Sequence, residues 1–236
     1  MQPIEQLIQG NFYHIYNRGI NSCNLFNEAP NYIHFLKLYD TYILPVAETF
    51  AWVLMPNHFH FLVKIKENVI YKYSITDRSI NAFRFFEEHK WETITPPDLS
   101  ACEAPDSVKA GTNPENIKIP KPHLHFSHLF NAYSSYINKR YNRHGSLFER
   151  TFKRKLIDNE TYLKNVVLYI HNNPVHHGFC KHLLEYPWSS YLSCISAEPT
   201  SINHEKITEW FGSEENYKLA HNSIQEIKGI EDYLGI

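Results

Sequence analysis

Residues 52–64 read WVLMPNHFHFLVK, and this stretch decides the fold. Phe50 to Met55 is apolar and suits a buried strand, Pro56-Asn57 is a turn signal, and His58 to Ile65 suits the returning strand. On such a strand successive side chains alternate between faces. His58 and His60 therefore project together from one face while Phe59 enters the other. Two neutral imidazoles side by side supply half a site for a divalent metal. The pattern alone is weak, because 15 histidines in 236 residues give roughly one His-x-His by chance, and a second occurs at His123 and His125. For His123 and His125, at the edge of an irregular stretch, a packing role is the expectation.

Upstream of the hairpin, residues 11–18 (NFYHIYNR) alternate and are aromatic, which predicts a strand. A loop from Gly19 to Asn27 leads to a helix opening near Pro30, with Tyr32, Phe35, Leu36 and Tyr39 at helical spacing, and Pro45 closes it. Downstream, residues 66–121 lose periodicity, and six prolines fall between Thr93 and Pro122. Most of 92–121 is expected to be a flexible insertion, with a short helix around Ser79–His89.

Order resumes at His123. A helix is expected over 125–141, a basic strand over 147–157, and a helix from Asn159-Glu160 to about residue 172, with Leu163, Val166, Val167 and Ile170 as its buried stripe. Pro174 is expected to stop that helix. Residues 186–195 form an aromatic tail, and about the last 35 residues suit two amphipathic helices. No internal repeat is present. Strand, helix, two strands, insertion, helix, strand, helix implies an α+β fold: an antiparallel sheet with helices packed on its face.

The chain is 43% hydrophobic, enough for one sizeable core. A net charge of -2 argues against a general duplex-coating protein, but charge is uneven. Between Lys139 and Lys155, seven basic residues face one glutamate, a local net charge of +6. Arg143, Arg150, Lys153 and Arg154 are the candidates from this run for tracking a phosphate backbone; a solvated helix end and a charge-guarded edge strand explain it equally well. Cys23, Cys102, Cys180 and Cys194 lack metal-site spacing and read as reduced thiols. No signal peptide and no apolar run of about 20 residues is visible, so the expectation is a cytoplasmic protein without a membrane partner.

Tyr169 and Asn173 are four residues apart, so they share a face of the 160–172 helix, away from its apolar stripe. They could present a nucleophile and an oxygen ligand to one metal. A packed tyrosine and a C-cap asparagine are the plainer readings. Arg18, Tyr13, Tyr16, Trp188 and Tyr191 could clamp or stack on bases, with core packing the commoner fate for the rings. His171, His176 and His177, near Tyr169, suit either a surface role or a phosphate contact.

Taken in order, YHIYNRG, WVLMPNHFHFLVK, LFERTFKRKLI, YIHNNPVHHG and YPWSSY resemble the REP-associated tyrosine transposases and related single-tyrosine HUH transposases. The resemblance covers roughly residues 11–66 and 123–192. It implies a ferredoxin-like HUH endonuclease domain made of residues 1–66 and 123–195, interrupted by an insertion at 67–122 and followed by a helical extension at 196–236. It also implies Mg²⁺ or Mn²⁺ on His58 and His60, with Asn173 completing the site, since an amide oxygen suits a hard cation. Tyr169 would be the nucleophile, forming a 5′-phosphotyrosine on single-stranded hairpin DNA. The family includes monomers and homodimers that exchange tyrosines. Two other functions remain open: a domesticated, non-catalytic binder of structured single-stranded DNA, and a metallo-phosphodiesterase that uses water.

Overall fold

The computed structural model describes residues 5–74, 90–93, 115–149, 151–196 and 200–222. Its centre is a four-stranded antiparallel sheet: β1 (Phe12–Arg18), β2 (Ala47–Met55), β3 (His58–Ile65) and, late in the chain, β7 (Lys153–Ile157), in the order β2-β3-β1-β7. The β2–β3 hairpin turns at Pro56-Asn57, and β2 begins earlier than its apolar run suggests, with a register shift between Thr49 and Ala51. Three helices frame the sheet: α1 (Ala29–Tyr42), α2 (Pro122–Arg140) and α3 (Glu160–His176). Both faces of the sheet are covered.

Strand alternation sorts the side chains. Tyr13, Ile15, Phe59, Phe61 and Val63 point to one face and pack on Phe35 and Tyr39 of α1 and Phe126, Leu129 and Tyr133 of α2. Ala51, Val53, Met55 and Leu62 point to the other, where Val166, Val167 and Ile170 of α3 cover them. Each fully buried large apolar side chain contributes about 1.5–3 kcal/mol, so the two layers fix the sheet between its helices. The rings that could have stacked on bases mostly pack into these cores, the commoner fate expected of them. Tyr13 is buried and its hydroxyl donates to the Gln6 carbonyl, Trp188 stacks on Tyr32, and Tyr191 is buried against Tyr217. His125 is likewise internal, bonded to the Tyr42 carbonyl.

Three expectations change. Pro174 does not stop α3, which runs through it to His176. A proline removes one intrahelical N–H and crowds the preceding turn. Here the turn beyond it is held by the amides of His177, Gly178 and Phe179, which donate to the carbonyls of Asn173, Val175 and Pro174. The basic segment is a regular strand only from Lys153. Thr151 has a φ of 60°, a left-handed conformation that breaks regular strand geometry, and Phe148 makes just an isolated bridge to Gly19. The 67–122 segment contributes β4 (Val69–Ser74), β5 (Lys90–Thr93) and β6 (Glu115–Lys118), paired in the order β5-β4-β6. Two of these strands are four residues long, too short for alternation to show in sequence. The helix expected at Ser79–His89 falls outside the described residues up to Lys90, as does most of the stretch expected to be flexible.

After α3 the chain returns along β2, where Ser189 bridges Val53, and ends its described part in α4 (His204–Phe211) and α5 (Glu214–Asn222). Ile207, Trp210 and Tyr217 complete the α3-side core. Among the described residues, Cys23, Cys180 and Cys194 are free thiols, and no helix is long and apolar enough to cross a membrane.

Candidate active site

The register of β1 on β3 pairs Tyr16 with His60 and Arg18 with His58, so His14, Tyr16 and Arg18 share the face that carries the two histidines. Helix α3 crosses that face. Its Asn159 side chain caps the first turn by accepting from the Thr161 amide, at 2.8 Å, which sets where the helix starts and hence which residues meet the sheet. Tyr169 is thereby brought edge-on to His60 and His14, with ring centroids 5.4 and 6.1 Å away at near-perpendicular angles. Only 5% of Tyr169 is exposed, yet it lines a cavity of about 580 Å³ together with Tyr16, Arg18, His58, His60, Lys153 and His177.

Both histidines are held through the same ring atom. His58 Nδ1 lies 2.6 Å from Asn57 Oδ1, and His60 Nδ1 lies 2.9 Å from His14 Nε2. Each ring keeps its Nε2 for another partner. Burial holds the His58 imidazole down at about 4, assisted by repulsion from His177 and opposed by the neighbouring Asn173 amide, with Arg18 adding to the lowering. Burial also drives His60 well below its ordinary range, with His14, His58 and His177 adding to it. Both rings are therefore neutral at pH 7, the state a metal requires of a histidine ligand.

Asn173 sits one turn after Tyr169 and beside His58. It is 1% exposed, and neither its amide oxygen nor its nitrogen makes a hydrogen bond among the described residues. Leaving such a group unpaired costs about 1–3 kcal/mol. A buried amide outside ordinary hydrogen-bond distance of any partner among the described residues, yet close enough to His58 to act on its imidazole, fits with the two histidines an oxygen-seeking divalent cation such as Mg²⁺ or Mn²⁺. Among the described residues no three His, Cys, Asp or Glu side chains gather into a metal cluster, so a site here would rest on two imidazoles and this amide.

The basic residues divide. Arg18 lines the cavity, hydrogen-bonds the Ser22 hydroxyl and pairs with Glu149 at 3.2 Å. Lys153 pairs with Tyr16 across the strands and faces the cavity. Arg154, one residue on, points to the opposite face and lies over the Phe152 ring, 4.3 Å from its centroid. Arg143 folds back on the end of α2, donating to Asn138 Oδ1 and the Ser146 carbonyl. Arg143 and Arg154 are thus not brought to the cavity, and Arg150 lies outside the described residues.

Sequence reasoning passed over His14, Asn57, Glu149 and Phe179, all at or beside the site. For His14 the signal was present: in NFYHIYNR it shares the strand face of Tyr16 and Arg18. Of the three histidines near Tyr169, His177 reaches the cavity, 5.1 Å from the His58 ring, and His176 is exposed. His171 is buried and serves packing: its Nδ1 meets His221 Nε2 at 2.9 Å and its Nε2 meets Ser190 Oγ at 2.8 Å.

No family model and no curated protein matches this chain. One solved structure is similar to it, a REP-associated tyrosine transposase bound to a REP hairpin, at 14% sequence identity and a TM-score of 0.51, covering 84% of this chain and 88% of that one. The similarity supports a shared α+β fold.

Proposed function

We propose that this chain is a metal-dependent nickase and strand transferase for single-stranded hairpin DNA, using Tyr169 as nucleophile. The observation that carries the reading is Tyr169 standing over the His58/His60 face of its own chain, in a cavity that also holds Arg18 and Lys153. The fold similarity to a transposase bound to a REP hairpin supports the substrate class.

His58, His60 and Asn173 would hold Mg²⁺ or Mn²⁺. When bound, the cation neutralises charge on a non-bridging oxygen of the scissile phosphate and favours the tyrosine's ionised form. Arg18 and Lys153 draw the DNA backbone into the cavity and help orient the phosphate. Tyr169 Oη, its proton lost to solvent, attacks phosphorus in line. The bond from phosphorus to the 3′ oxygen breaks, and that oxygen leaves as a 3′-hydroxyl after taking a proton. The product is a 5′-phosphotyrosine, which conserves the phosphodiester, so another 3′-hydroxyl can reverse the attack and join strands without ATP. With tyrosine and histidines close together on one chain, a single subunit would carry a complete site.

The test is incubation of hairpin single-stranded DNA with the protein and Mn²⁺, followed by denaturing electrophoresis. A covalent protein–DNA adduct that disappears in Tyr169→Phe is expected. Cleavage at full rate in Tyr169→Phe overturns the nucleophile and favours water. Hairpin binding with no cleavage under any metal favours a non-catalytic binder.

A further inference from the structure

We infer that His14 is a positioning residue that fixes the tautomer of His60 and so turns its Nε2 toward the cavity as a ligand atom. The inference rests on the proposed metal role of His60. The two histidines of the site are gripped at Nδ1, but by different chemistry. Asn57 Oδ1 can only accept, so His58 carries its proton at Nδ1 and Nε2 is its lone-pair nitrogen. The partner of His60 is an imidazole, which can accept or donate through Nε2. A ligating Nε2 on neutral His60 requires Nδ1–H donating to His14 Nε2, and His14 must then hold its own proton at Nδ1.

The surroundings of His14 suit that task. It is 0% exposed, its ring lies within 4° of the His60 plane, and it stacks on Tyr16 at 4.8 Å. The Tyr169 ring packs against it nearly at a right angle, with ring centroids 6.1 Å apart. This packing restrains His14, and through its bond the His60 ring. His14 Nδ1 is buried and has no hydrogen-bond partner among the described residues. For packing alone an aromatic hydrocarbon would fill this place without an unsatisfied nitrogen. A buried polar atom that stays unpaired calls for a functional explanation, and the bond to His60 supplies one. Groups that hold the far nitrogen of a metal-bound histidine commonly change metal affinity by about 10–100-fold when removed.

The experiment measures Mn²⁺ binding by calorimetry on the full chain, for wild type, His14→Phe, His14→Gln and His60→Ala, with thermal unfolding of each. His14→Phe keeps the ring and loses the acceptor; it removes the unpaired His14 Nδ1 and leaves the His60 Nδ1 unpaired instead, so it is expected to unfold near wild type while binding Mn²⁺ about 10–100-fold more weakly. His14→Gln places an amide oxygen near the lost nitrogen and is expected to recover most of that loss. A purely structural role predicts the reverse, lower unfolding temperature with unchanged affinity, and that result overturns the inference. In parallel, ¹⁵N NMR of the histidine-labelled wild type with Mg²⁺ reads the tautomer directly. Nδ1-protonated His60 supports the inference and Nε2-protonated His60 overturns it, even where His14→Phe does not fold. The His60→Ala arm separates the two readings. Unchanged Mn²⁺ binding there removes the metal role of His60 and the inference with it; lost binding there with intact binding in His14→Phe removes the inference alone.

Discussion

Acidification should destabilise the fold, and one defined share of the effect comes from His221. This side chain is buried between Tyr217, Tyr191 and Phe211, with ring centroids at 4.2, 5.0 and 6.1 Å, and meets His171 Nδ1 through its Nε2. Burial holds it at about 4 against an ordinary 6.5, the bond from its Nδ1 to the Tyr217 carbonyl pulling slightly the other way. The folded chain thus resists a proton that the unfolded chain accepts. Above pH 6.5 neither state is protonated and nothing is lost. As pH falls from 6.5 toward 4 the unfolded state binds the proton first, and stability drops; below 4 the loss levels off. At pH 5 this one group withdraws about 2 kcal/mol. His14, held at about 3 by burial, withdraws a similar amount.

The variant His221→Phe isolates the effect. It keeps a ring against Tyr217 and loses the bond to His171, whose Nδ1 retains the Tyr217 hydroxyl at 3.1 Å. At pH 7 the variant should be less stable than wild type by about 1–2 kcal/mol, the worth of one or two net hydrogen bonds. At pH 5 it no longer carries the His221 penalty, so the gap should shrink by about 2 kcal/mol and close or reverse. Urea unfolding followed by circular dichroism at the two pH values measures this. If wild type and variant lose stability in parallel between pH 7 and pH 5, His221 is not the titrating group and the reasoning fails.

Three further outcomes are expected. Mixing Tyr169→Phe with His60→Ala should not restore cleavage of hairpin DNA, the outcome expected of a site that takes its tyrosine and histidines from one chain; restored adduct formation would show exchange between chains. Lys153→Ala should weaken hairpin binding and lower the salt dependence of log K by about 0.7, the value for one single-strand phosphate contact, whereas Arg154→Ala, on the opposite face, should leave that slope unchanged; fluorescence anisotropy across a salt series reads both. Asn173→Leu removes a buried amide with no hydrogen bond among the described residues, so its unfolding temperature should equal or exceed that of wild type while Mn²⁺-dependent cleavage is lost. Retained cleavage would exclude the amide from the site.

What could be read in the sequence divides along the range of the interactions. The β2–β3 hairpin was legible because a proline-containing turn and a period of two are local, and the pairing of Tyr169 with Asn173 followed from helical spacing in the same way. Composition misled where periodicity was available. Counting charges from 139 to 155 merged Lys153 with Arg154, though alternation sends adjacent strand residues to opposite faces, and the structure separates them accordingly. At Pro174 the local rule was sound and still gave way, because the following turn has its own hydrogen bonds.

The remainder lay in contacts that no local pattern encodes. His14 was visible as a face-mate of Tyr16, but its meaning depends on the β1–β3 register, which joins residues 46 positions apart. A slip of one residue would turn Ile15 toward the cavity and bury His14 among the rings of the opposite core. That register is set by Tyr13 and Ile15 on one face and by helix α3 on the other. The apolar layers therefore do more than stabilise the sheet: they decide which nitrogen stands behind His60. In the same way, Tyr169 becomes a candidate nucleophile only because Val166, Val167 and Ile170 seat its helix on the histidine face. The His-x-His pair is near chance as a motif, and gains its chemical sense from the packing that delivers a tyrosine, an unpaired amide and a third imidazole to it.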